Sequence, residues 1–131
     1  MKRTTLNPWD WSLQYGFSHA ELIEGAERVL YCAGQVSRAP DGTVLHPGDM
    51  AGQLELVLDN LDDVLAAGGM SLADVVRLQV FATDIPAIHE HRGILTERLD
   101  AAGVKPAQTL LGVASLALPE MLVEIEATAV Q

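Results

Sequence analysis

Leu122-Val123-Glu124-Ile125-Glu126-Ala127-Thr128-Ala129-Val130 closes the chain with a two-residue alternation. Val123, Ile125, Ala127 and Ala129 face one way, while Glu124, Glu126 and Thr128 face the other. Period two is the repeat of a β-strand with one face on a core and one face polar. A second apolar run, residues 108–115, precedes it across a turn at Leu118-Pro119-Glu120. Further upstream, Val76, Leu78, Val80 and Ala82 alternate with Arg77 and Gln79, which predicts a strand over 75–82.

The segments between these strands carry helical spacing. Asp49 has N-cap chemistry, and Met50, Leu54, Val57, Leu58, Leu61, Val64 and Leu65 recur along one helix face until Gly68-Gly69. Ser71 and Asp74 form a capping-box-like pair before the 75–82 strand. A second helix starts near Asp84, accepts Pro86 in its first turn and buries Ile88, Leu95 and Leu99 before Gly103. At the front of the chain, runs 19–24 and 28–33 flank Gly25-Ala26-Glu27, a spacing that predicts a hairpin. Pro40-Asp41-Gly42 and Pro47-Gly48 bracket a surface loop with a short extended piece around Val44. Residues 1–16, with Asn7-Pro8-Trp9-Asp10-Trp11, have no period and read as an amino-terminal arm.

The resulting order, β-β-α-β-α-β-β, predicts a single α+β domain over 1–131, with one mixed sheet and two helices on one face. The other face, bearing Arg77, Gln79, Glu124 and Glu126, is left open. A further copy of the chain in a closed homo-oligomer is the simplest cover.

Composition narrows the function classes. A chain of 131 residues with 49% hydrophobic side chains builds a core without staples. Eight basic against 18 acidic side chains give a net charge of −10, which argues against nucleic-acid and membrane partners. Cys32 is the sole cysteine, so an internal disulfide and a Cys-rich zinc site are excluded. His89 and His91 stand i, i+2 on a helix, about 200° apart, and cannot share a metal ion. There is no apolar signal core after Met1-Lys2-Arg3, nor a run near the ~20 apolar residues that span a bilayer, so a cytoplasmic location is expected.

Gly34-Gln35 after a strand, Asp49 opening a helix that runs through Asn60-Leu61 to Gly68-Gly69, Val75 to Asp84, Pro106-Ala107 and Val123 to Ala127 together resemble the reactive intermediate deaminase (RidA, formerly YjgF) family, collinearly over about residues 17–130. The resemblance implies a chorismate-mutase-like fold, a homotrimer with small-molecule clefts between subunits, and cofactor-free hydrolysis of imines or enamines derived from amino acids. It also implies cleft positions at Phe17, Ala33, Gly34, Gln108 and Leu110, with Glu124 placing the attacking water.

This chain departs from the pattern at several of these positions. Gln108 stands where the deaminases have the arginine that grips the substrate carboxylate, Phe17 replaces a tyrosine, Ala33 a serine and Leu110 a frequent cysteine. An amide in place of a guanidinium forgoes a charged hydrogen bond of about 1.5–3 kcal/mol. Divergent hydrolysis and non-catalytic metabolite or protein binding are therefore both carried as expectations. Read from the residues alone, Glu124 either works on water or pairs with Arg77 on a polar sheet face. Cys32 reads as a small buried hydrophobe, and Trp9 and Trp11 as packing for the arm.

Overall fold

The computed structural model describes residues 1–131, with strands β1 (Lys2–Leu6), β2 (Ala20–Glu24), β3 (Val29–Gln35), β4 (Val75–Ala82), β5 (Ala107–Gly112) and β6 (Val123–Val130). The helices are α1 (Met50–Ala67), α2 (Ile85–Glu90) and α3 (Arg92–Ala101). Four strands form the main sheet in the order β3-β6-β4-β5, in which β4 and β5 are parallel and the remaining pairs antiparallel.

The alternation read in the sequence is what buries the core. Val123, Ile125, Ala127 and Ala129 of β6 meet Leu78, Val80 and Ala82 of β4 on one sheet face, but a register shift between Val75 and Arg77 puts Val75 into the core in place of the expected Val76. Over that face lie Leu54, Val57, Leu58, Leu61 and Leu65 of α1, together with Ile88, Leu95 and Leu99 of α2 and α3. The caps behave as their chemistry requires. The Asp49 carboxylate accepts from Gly52 N at 2.9 Å, the Asp84 carboxylate accepts from Ala87 N at 3.1 Å, and Ser71 and Asp74 complete their capping box.

Two further expectations change. Runs 19–24 and 28–33 form strands but no hairpin with each other: β2 pairs with β1, from Lys2 opposite Glu24 to Leu6 opposite Ala20, whereas β3 pairs with β6. Gly25, at φ 71°, turns the chain out of the β1–β2 ribbon, and both Glu27 N and Arg28 N then donate to Gln131 O at 2.8 Å, which starts the β3–β6 ladder. Part of the arm is thus a paired strand. The second helix is also two helices. At His91 the backbone leaves the helical region (φ −107°), and Ile94 N bonds His91 O at 3.1 Å in a tighter three-residue turn, where Gly93 adds little helix propensity.

Candidate functional site

Glu124 lies on the sheet face opposite the helices, across from Phe81 of β4. The β3–β6 register shifts between Cys32 and Gln35, and this irregularity brings Gly34 beneath the Glu124 side chain. A Cβ at position 34 would come within 2.7 Å of Glu124 Cδ, so only glycine leaves the carboxylate its place. Beside the pair opens a recess of about 560 Å³ whose polar walls are Gln35, Arg38, Asn60, Asp63 and Glu124.

Two amides on α1 hold this recess open. Asn60 Nδ2 donates to Val36 O and Arg38 O at 3.0 and 2.9 Å, fixing the chain as it leaves β3. Gln53, fully buried, donates to His46 O and Glu120 O at 3.1 and 2.7 Å and accepts from Leu122 N at 2.8 Å, fixing the entry to β6. Neither residue was singled out for the site from the sequence. The available signal is an amide interrupting the apolar stripe of α1, since a buried amide must find partners.

Gln108 and Leu110 lie elsewhere. Their register opposite Leu78 and Val80 of β4 puts them on the helix-covered face, where they line a narrow slit with Arg92 and aliphatic side chains. Phe17 approaches the same edge: Ser18 bridges to Ala107, and its N–H donates to Pro106 O at 3.2 Å. Phe17 also belongs to an aromatic cluster in which the Trp9, Trp11 and Phe17 rings meet His19 edge-on at centroid distances of 5.2, 4.8 and 6.1 Å. Trp9 and Trp11 remain 62% and 53% exposed, so the arm packs on the body through only part of each indole.

The candidate residues therefore fall into two groups. Ala33, Gly34 and Glu124 gather at the β3–β6 side, and Phe17, Gln108 and Leu110 at β5. β3 and β5 are the two outer strands of the sheet, three strand spacings or about 14 Å apart. The groups do not meet within one chain.

Arg77 is engaged away from Glu124. With the Gln79 amide oriented to suit its neighbours, its oxygen accepts from Arg77 Nη2 at 2.9 Å and its nitrogen donates to Glu126. This polar row and Tyr31, 79% exposed, occupy the open sheet face. Cys32 points into the core, where burial pushes its thiol pKa up and so disfavours the thiolate.

Comparison with known proteins agrees with this architecture. A family profile described as "Endoribonuclease L-PSP" matches residues 14–131. The rat 2-iminobutanoate/2-iminopropanoate deaminase is 34% identical over 116 residues, covering 88% of this chain and 80% of the relative. Among solved structures, YyfB of Yersinia pestis, from the conserved Rid protein family, superposes with a TM-score of 0.87 at 37% identity over 100% of both chains. TdcF of E. coli, solved with bound serine, superposes with a TM-score of 0.71 at 26% identity over 88% of this chain and 87% of its own. With an α+β fold matching Rid structures and a family profile spanning its length from residue 14, the chain belongs to the Rid family, also called YjgF/YER057c/UK114.

Proposed function

We propose that the protein assembles as a homotrimer and that each subunit boundary forms a cleft in which a small imine or enamine derived from an amino acid is hydrolysed without a cofactor. The observation that carries this reading is the division of the candidate residues between opposite sheet edges. A site using both groups needs the β5 edge of one copy, with Phe17, Gln108 and Leu110, to face the β3–β6 side of another, with Ala33, Gly34 and Glu124. An exposed Tyr31 and an uncovered sheet face are consistent with such an assembly.

In that cleft Glu124 takes a proton from water as the water oxygen bonds to the imine carbon and returns it to the nitrogen; as the C–N bond of the resulting carbinolamine breaks, the hydroxyl proton passes to the departing nitrogen, leaving ammonia and a keto acid. The recess beside Glu124 gives the water access, and Gly34 leaves the carboxylate free to turn toward it. The net charge of −10 disfavours the RNA substrate that the family description suggests. Gln108, lacking the charge of the deaminase arginine, favours a second reading in which the cleft binds a metabolite without turnover.

Ammonia release from freshly generated 2-iminobutanoate or 2-aminoacrylate separates the two readings, with Glu124→Ala as control. Hydrolysis above the buffer rate that is lost in the control supports the deaminase reading. A rate equal to buffer rejects it and leaves binding alone. Light scattering tests the assembly: three times the chain mass is expected, and a monomer would overturn the shared cleft.

A further inference from the structure

We infer that Arg92, at the start of α3, anchors the carboxylate of the ligand in this cleft, replacing from a different element the charge that position 108 lacks. The inference rests on the shared cleft proposed above and specifies what that cleft binds: a small acid rather than a neutral imine.

Eight side chains in the protein are basic, and most are engaged. Lys2, Arg3, Arg98 and Lys105 form ion pairs with carboxylates. Arg28 donates to Gln131 and to the Gly68 carbonyl, and Arg77 to Gln79. Arg38 is unpaired but lines the recess that also holds Asp63 and Glu124, whose carboxylates oppose an incoming anion. Arg92 alone combines freedom from ion pairs with a place in a slit that no acidic side chain lines. It lines the slit beside Gln108 and Leu110, whose other walls are aliphatic.

The guanidinium is also held in place without being neutralised. It stacks over the Tyr15 ring at 4.8 Å from the centroid, a contact that orients a cation while leaving its N–H edge available. The slit encloses only about 20 Å³, room for about one water molecule. A ligand therefore cannot fill it, and what the slit offers is its half-exposed polar rim, the Arg92 guanidinium and the Gln108 amide. A carboxylate takes two N–H bonds from the first and one from the second, and aliphatic surroundings strengthen each. In a protein of net charge −10, an unneutralised arginine at one position is a local exception that selects where an anion binds.

The test titrates the full-length protein with 2-oxobutanoate, the stable keto acid with the same carboxylate as 2-iminobutanoate, and with the neutral 2-oxobutanamide, following amide NMR shifts. Arg92→Gln should weaken 2-oxobutanoate binding roughly 10- to 100-fold and leave the amide unaffected, while Arg92→Lys recovers part of the loss. Tyr15→Leu, which removes the stacking but not the charge, should weaken the acid only several-fold. Where turnover is present, Arg92→Gln should raise KM with kcat nearly kept. Carboxylate binding that depends on Arg92 in a protein without turnover supports the anchor and rejects only the hydrolase. Turnover with unchanged Kd and KM in Arg92→Gln overturns the anchor and spares the hydrolase. Absence of 2-oxobutanoate binding by the wild type overturns the anchor outright.

Discussion

Gly34→Ala is a one-carbon change that reaches the Glu124 carboxylate directly. The added methyl would sit 2.7 Å from Glu124 Cδ and 2.9 Å from Cγ, so Cδ must retreat by about 0.7 Å to regain ordinary contact, and its oxygens further. Position 34 has no left-handed φ, so alanine itself is accommodated by the backbone. Glu124 can swing because its side chain makes no hydrogen bond that would be broken. The stability cost should stay under about 1 kcal/mol, small enough to leave the urea midpoint nearly unchanged. A carboxylate displaced by about 1 Å loses roughly 100-fold in rate, or about 2.7 kcal/mol of transition-state stabilisation. The assay is kcat/KM for ammonia release from 2-iminobutanoate in a cycle of wild type, Gly34→Ala, Glu124→Gln and the double variant. Because the methyl acts through the carboxylate, the double variant should be no slower than Glu124→Gln. A full further loss from Gly34→Ala when Glu124 is already Gln would refute this reasoning.

Further outcomes follow from other contacts. Gln53→Leu should cost about 2–4 kcal/mol in urea unfolding, because it strands His46 O, Glu120 O and Leu122 N around a fully buried position; a loss below 1 kcal/mol would mean that water replaces the amide. Arg98 gathers Glu55, Asp59 and Asp62 of α1 at 2.8, 2.6 and 3.5 Å, so Arg98→Gln leaves three neighbouring acids uncompensated. The expected cost is about 1 kcal/mol at low salt, shrinking in 1 M NaCl, since the acids are half exposed. Burial raises the Cys32 thiol pKa, so between the unfolded and folded values the unfolded chain ionises first and stability falls as pH rises. Cys32→Ala should flatten that alkaline decline, and an unchanged pH profile would contradict it.

What the sequence displayed most clearly was local. The Asp49 and Ser71/Asp74 caps, the apolar stripe of α1, the alternation of β6 and that of β4 from Leu78 onward depend on residues within one turn or one strand, and each appears as read, whereas the bulge that brings Val75 rather than Val76 into the core left no mark in the sequence. Strand partnership was less legible. The three residues between Glu24 and Arg28 suit a hairpin, yet β3 finds its partner in β6, about 100 positions away, and β2 in β1. Nothing in the alternation of 19–33 encodes those distant ladders. The same gap affected the site. Gln108 and Glu124 stand on strands that are neighbours in sequence, but β6 inserts between β3 and β4, β5 joins the far side of β4, and the two side chains lie on opposite sheet faces. That Arg92 forms no ion pair is likewise invisible in the sequence, because it depends on where the fold puts every acidic side chain.

The shared cleft is tested most directly by mixing two crippled chains. Glu124→Gln damages one half of each site, and Gln108→Glu, placing a negative charge on the rim where the ligand carboxylate binds, blocks the other; each homo-oligomer should be inactive toward 2-iminobutanoate. Co-refolded in equal amounts, they create boundaries in which an intact β5 edge faces an intact Glu124, at a frequency of about one quarter under random assortment. Recovery of about a quarter of wild-type ammonia release is the expected result. Mixed oligomers that form and yet recover no activity would contradict a site built from two copies.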